Sequence, residues 1–192
     1  MKIAITGHTR GIGQAIAASL AEKGHEIAGF SRGTGHDLAD RGQRDLSLAE
    51  IKSCDVFVDN AFLEPRQAQR PVSWVSVELL YEIHRAWRGR ADKTIVVIGS
   101  AVQNHPLTQD HPYQIHKIAV NLACRQLRAV SDHPRIIQIN PGATDTDQIR
   151  HKAWIKMDAV EVARVVEFCI NSLDHIYVNE ITFTPGRLYH QP

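Results

Sequence analysis

Two groups of residues in this chain have the types and spacing for chemistry. The first is the run Gly7-His8-Thr9-Arg10-Gly11-Ile12-Gly13, which follows the β-branched stretch Lys2–Thr6 and precedes apolar residues at helical spacing. Glycines there permit a tight turn and bring backbone close to a pyrophosphate, whose charge the free N–H groups and dipole of a helix N-terminus favour. The spacing is Gly-x3-Gly-x-Gly, and no Gly-Lys-Ser/Thr follows, which excludes a P-loop. The second group is Ser100, at the end of the run Thr94–Ile98, with Tyr113 and Lys117 beyond it. If a helix carries the latter pair, their spacing sets a phenol and an ammonium on one face, one turn apart. Tyr-x3-Lys arises often by chance and a strand-end serine is usually a cap, so the combination carries the weight.

These residues need elements to hold them. Strands are predicted at Lys2–Thr6, Glu26–Phe30, Val56–Asp59, Thr94–Ile98, Arg135–Asn140 and Glu180–Thr184. Several are continuous apolar runs, as in a parallel sheet covered on both faces. Between them, Ile12, Ile16 and Leu20, then Ile115, Ile118 and Leu122, then Val162, Val165 and Val166 recur at helical spacing. Pro112 suits the first turn of the helix through Tyr113, and Asp158 the N-cap of the last. Gly33–Gln43 reads as a loop with at most a very short strand near His36–Leu38. The alternation predicts an α/β fold: a Rossmann-type doubly wound parallel sheet with helices on both faces, as a single domain over 1–192. The second strand ends in Gly29-Phe30-Ser31-Arg32 with no acidic residue to bind a ribose 2′-hydroxyl, whereas Arg10 and Arg32 suit a 2′-phosphate. The expected cofactor is therefore NADP(H) rather than NAD(H).

Composition narrows the class. With 192 residues, 43% hydrophobic and 22% charged, the chain can bury a core. Its 22 basic and 21 acidic residues leave +1, and no basic run points to nucleic acid. No apolar stretch is long enough to span a bilayer, and MKIAITG enters a strand pattern at once, leaving no room for a signal peptide. Cys54, Cys124 and Cys169 form no CxxC pair and sit among apolar residues, the pattern of buried thiols in a reducing, cytoplasmic setting. The 11 histidines show no metal-ligand spacing, so no metal is expected.

Taken in order, these motifs resemble the short-chain dehydrogenase/reductase family over essentially all of residues 1–186. They are Thr6-Gly7-x3-Gly11-Ile12-Gly13, Asp37-Leu38, Asp59-Asn60-Ala61, Ser100, Tyr113-x3-Lys117 and Asn140-Pro141-Gly142 followed by Thr146. The resemblance implies a Ser100–Tyr113–Lys117 catalytic set acting on a small carbonyl or alcohol by hydride transfer. Tyr113 would be the general acid in reduction, or the base in the reverse direction. A free phenol has a pKa of about 10, and the Lys117 ammonium is expected to lower it. In the family that ammonium also holds the nicotinamide ribose, and Ser100 would donate to the substrate oxygen. Further cofactor contacts implied are Gly7, Thr9, Arg10, Gly11, Ile12, Gly13, Ser31, Arg32, Asp37 and Leu38 at the adenosine end. Asn60, Ala61, Pro141, Gly142, Thr144 and Thr146 would line the rest of the groove. A homodimer or homotetramer is implied, without membrane or nucleic-acid partners.

The chain departs from the family pattern in places. No asparagine occurs in Ser73–Arg90, where many members carry a proton-relaying one; His84 or Tyr81 are the candidates for its place. Phe62 stands where a glycine is usual. Only 11 residues, Asp147–Met157, separate Thr146 from Asp158, a short substrate lid that predicts an exposed site. Ile149, Trp154 and Trp87 are apolar candidates for substrate or subunit contact, with core packing the commoner role. Two other functions compete. A non-catalytic NADP(H)-binding redox sensor or scaffold would not need Ser100, and a serine hydrolase would need the Gly-x-Ser-x-Gly elbow that Gly99-Ser100 lacks.

Overall fold

The computed structural model describes residues 1–62, 73–106, 112–171 and 176–186. Strands and helices alternate: β1 (Lys2–Thr6), α1 (Gly11–Glu22), β2 (Glu26–Phe30), α2 (Arg41–Ser53), β3 (Val56–Asp59), α3 (Val75–Trp87), β4 (Thr94–Ile98), α4 (Pro112–Val130), β5 (Arg135–Pro141), α5 (Ala159–Asn171) and β6 (Glu180–Phe183). The six strands form one sheet in the order β2-β1-β3-β4-β5-β6, and every neighbouring pair is parallel.

Strand side chains alternate between two cores, which explains the unbroken apolar runs. Ile3, Ile5, Val56, Val58, Val96 and Ile98 pack with Ile16, Leu20, Ala163 and Val166 of α1 and α5. Ala4, Phe57, Ile95 and Val97 face the other way, toward Leu48, Leu80, Ile83 and Leu127 of α2, α3 and α4. Cys54, Cys124 and Cys169 are buried free thiols within these cores.

Strand positions match the expectation to within a residue. The stretch near His36–Leu38, read as loop with at most a very short strand, forms no strand. A 3-10 turn at Arg32–Thr34 is followed by local bonds, the Asp37 N–H donating to Gln43 Oε1 at 2.7 Å and the Ala39 N–H to Asp37 Oδ1 at 3.0 Å. Asp40 then caps α2, accepting from the Gln43 N–H at 2.9 Å, so the helix starts inside the stretch read as a loop. Short polar side chains captured the backbone groups a strand would have needed.

The strand order determines where a ligand can sit. From β1 the chain runs outward to β2, then returns to place β3 on the other side of β1. The carboxyl ends of β1 and β3 therefore flank a topological switch point, the usual crevice of open α/β sheets.

Candidate active site

Thr6 pins that switch point. Its buried hydroxyl accepts the N–H groups of Asn60 (2.9 Å) and Ala61 (3.0 Å) and donates to Asp59 Oδ1 at 3.1 Å. The Asn60 amide in turn donates to the carbonyls of Thr6 (3.1 Å) and Gly7 (3.3 Å), so the ends of β1 and β3 are laced together. Gly7 and Gly11 adopt positive φ, +70° and +54°. At Gly13 a Cβ would lie 2.2 Å from the Gly7 carbonyl oxygen and 2.4 Å from Asn60 Nδ2. Only hydrogen fits there, because α1 is packed directly against the turn.

The opening turn of α1 suits a polyanion. Arg10 occupies its N-cap without a side-chain cap bond, and no acidic residue lies in the first turn. Arg10 and Arg32, both exposed, follow the adjacent ends of β1 and β2, where Thr6 pairs with Phe30. Neither arginine has a carboxylate partner among the described residues. Thr9 is exposed and Ile12 packs on the core beside α5. Ser31 is committed to its own turn, sharing a hydrogen bond with the Thr34 hydroxyl at 3.2 Å. His8, which stood in the sequence only as a spacer between the glycines, lays its ring over Gly29 so closely that a Cβ there would sit 2.4 Å from it.

Farther along the same sheet edge, Ser100, Tyr113 and Lys117 come together. The Tyr113 hydroxyl is hydrogen-bonded to Ser100. Lys117 Nζ lies 5.5 Å from the Tyr113 ring centroid and donates to the Ile98 carbonyl at 2.8 Å. Gln114 fixes the start of α4 to the turn after Ser100 by donating to the carbonyls of Val102 (2.9 Å) and His105 (2.8 Å). Gly99 permits this junction, since a Cβ would meet Asn140 Oδ1 at 1.9 Å.

The electrostatics correct one expectation. Tyr113 lies above the ordinary phenol range, not below it, because burial outweighs the hydrogen bond from Ser100. Lys117 is only 6% exposed, and burial pulls it down to about 8 against the opposing pull of Asp59. Asp59, 3% exposed, is pushed up to about 6 by burial, with Lys117 and the Thr6 hydroxyl acting the other way. Asp59 belongs to the Asp59-Asn60-Ala61 segment, and its signal in the sequence is a carboxylate ending an otherwise apolar strand. Phe62 covers the tyrosine: its ring stands edge-on to Tyr113 at 5.0 Å and to His116 at 5.2 Å.

The remaining predicted residues are less concentrated. Leu38 is buried in the core with Leu48 and Ile51. Asp37 makes the turn bonds already described. The Gly142 N–H, after Pro141 at the end of β5, donates to the Phe183 carbonyl at 2.8 Å. Thr144 is buried and bonds the Gly142 carbonyl at 3.1 Å, while Thr146 borders Gly11, whose Cβ would lie 3.2 Å from its methyl. The chain from 143 to 157 closes on itself through the Asp145 N–H to Met157 carbonyl bond (2.8 Å) and a Lys156–Asp145 ion pair (3.3 Å). His84 is buried in α3, and Tyr81 turns its hydroxyl to Gln126 in the far half of α4. Among the described residues, neither makes a hydrogen bond or ring contact with Tyr113 or Lys117. Trp87 is a core residue whose indole donates to the Lys52 carbonyl; Ile149 is half-buried, and Trp154 is 55% exposed.

No protein-family model matches the chain, and no curated protein matches its sequence. Solved structures do match it in three dimensions. A short-chain dehydrogenase/reductase from Vibrio parahaemolyticus is 20% identical, with a TM-score of 0.78 over 96% of this chain and 100% of that one. A 3-alpha-hydroxysteroid dehydrogenase from a Pseudomonas species, complexed with NADH, is 21% identical with a TM-score of 0.74 over 97% and 96%. An alcohol dehydrogenase from the archaeon Thermococcus sibiricus, complexed with 5-hydroxy-NADP, is 19% identical with a TM-score of 0.73 over 100% and 99%. At such identities the likeness establishes a shared fold, an open Rossmann-like α/β sheet.

Proposed function

We propose that the chain is an NADP(H)-dependent oxidoreductase of the short-chain dehydrogenase/reductase type, reducing a small carbonyl compound or oxidising the matching alcohol. One observation carries this reading: the Ser100–Tyr113 hydrogen bond, with Lys117 one turn along α4, at the sheet edge that also holds the glycine turn. The site's own chemistry fits a nicotinamide dinucleotide. The uncapped start of α1 and the Gly7–Gly13 turn would hold the pyrophosphate, and Arg10 and Arg32, which have no carboxylate partner among the described residues, a 2′-phosphate. Structures of the same fold with NADH and 5-hydroxy-NADP bound support the assignment.

When bound, the nucleotide supplies the hydride. The chain supplies the proton: Tyr113 donates its hydroxyl hydrogen to the carbonyl oxygen as charge develops there, and the Ser100 hydroxyl donates a hydrogen bond to the same oxygen. Burial holds the Tyr113 titration above the ordinary phenol range, which favours the protonated form that the reduction step uses. Carbonyl-dependent NADPH consumption by the wild type, lost about 100-fold or more in Tyr113→Phe while NADPH still binds, is the expected outcome. No turnover on any carbonyl tried, with NADPH bound, favours the second reading: a non-catalytic NADP(H) sensor in which the Phe62 ring has closed over Tyr113.

A further inference from the structure

Lys117 is a cation in an almost fully enclosed place. Its one hydrogen bond among the described residues is to the Ile98 carbonyl, a neutral acceptor. An ammonium so buried ordinarily gives up its proton. The parallel register sets Asp59 of β3 opposite Val97 of β4, one residue from the Ile98 carbonyl that holds Lys117, and the buried Asp59 carboxylate and Lys117 act on each other electrostatically without forming an ion pair within 4 Å. Thr6 fixes that carboxylate from β1 through a 3.1 Å hydrogen bond. Among the described residues, the other ionisable neighbours supply no negative charge at neutral pH. Cys124 on α4 is pushed up to about 12 by burial, Tyr113 lies above the phenol range, and His116 is held low by burial and by Lys117 itself.

We propose that Asp59 is a positioning residue for the reaction, the counter-charge that keeps the Lys117 ammonium protonated and seated at the Ile98 carbonyl beside Tyr113. The proposal rests on the reductase reading and adds to it a residue outside the Ser100–Tyr113–Lys117 set. Asp59 stands where the family pattern has an asparagine, so this counter-charge belongs to this chain and not to the general pattern. Both groups are charged together between about pH 6 and about pH 8, the window set by their opposed displacements.

The test titrates each partner in the absence of the other. Side-chain NMR should show the Lys117 titration about 1–3 pH units lower in Asp59→Asn than in the wild type. In Lys117→Met the Asp59 carboxyl should titrate higher by a similar amount, an arm that stands even if Asp59→Asn does not fold. Fluorescence titration with NADPH across the same pH range separates positioning from packing. In Asp59→Asn, affinity should fall as pH rises through the lowered Lys117 value, at pH values where the wild type still binds fully. Unmoved titrations, or an NADPH pH profile identical in the two proteins, overturn the proposal alone. A wild-type chain that binds no NADPH at any pH overturns the reductase reading and the proposal with it.

Discussion

Tyr113 is caught between opposing influences, and the balance decides its protonation. The Ser100 hydrogen bond favours the phenolate; burial beneath Phe62 and α4 favours the phenol and prevails. The Tyr-x3-Lys spacing made the pair legible, but the direction of the shift was not, because it depends on how much ring and backbone closes over the hydroxyl. Phe62 was legible only as an oddity. Its edge-on contacts with Tyr113 and His116 make it part of the cover of the site. Phe62→Ala should open that cover and lower the Tyr113 titration toward the free-phenol value. Phenolate absorbance, measured against the same variant carrying Tyr113→Phe, reads this directly. An unchanged midpoint would mean that the ring is packing only.

At the scale of elements, the glycine turn and α1 act as one unit whose precision depends on hydrogen atoms. Gly13→Ala places a methyl 2.2 Å from the Gly7 carbonyl oxygen, so α1 must move away from the turn and from Asn60. The expected result is NADPH affinity reduced about tenfold or more, with destabilisation of about 1–3 kcal/mol in urea unfolding. Thr6→Val tests the other half of the junction. The Asn60 and Ala61 N–H groups would lose their acceptor, at a cost of about 1–3 kcal/mol. The strands that position these groups were legible because β-branched, buried runs have few alternatives. Helix α2 was not, since Asp40, Gln43 and Ser47 give it a polar sequence and its start is set by an aspartate cap. The stretch near His36–Leu38, read as loop with at most a very short strand, forms none for the same reason: local polar bonds take the place of a ladder.

For the molecule as a whole, the Asp59–Lys117 pair is a cost. An aspartate raised to about 6 makes the folded state bind protons more readily than the unfolded one from about pH 4 upward, so stability falls as pH rises through that interval. A lysine lowered to about 8 has the opposite consequence, stability recovering from about pH 8 toward the free-lysine value near 10.4. Between about pH 6 and 8 the penalty is fullest. Replacing both, as Asp59→Asn/Lys117→Met, should stabilise the fold there by about 1–4 kcal/mol while abolishing activity; Asp59→Asn alone, which leaves the buried Lys117 amine without its counter-charge, should destabilise it. Thermal unfolding at neutral pH distinguishes these, and a double variant less stable than the wild type would contradict the account. The same pair could not be read from the sequence, because Asp59 and Lys117 lie on elements far apart in the chain that only the sheet order brings together.

The central claim is that this sheet edge holds a nicotinamide dinucleotide, with the phosphate form preferred. Titrating the purified protein with NADPH and with NADH, and following nucleotide fluorescence, tests it most directly. The account predicts tighter binding of NADPH, a preference that shrinks in Arg32→Ala, and loss of both affinities in Gly13→Ala. Equal or tighter binding of NADH would contradict the roles given to Arg10 and Arg32, and binding of neither by nucleotide-free protein would contradict the oxidoreductase reading itself.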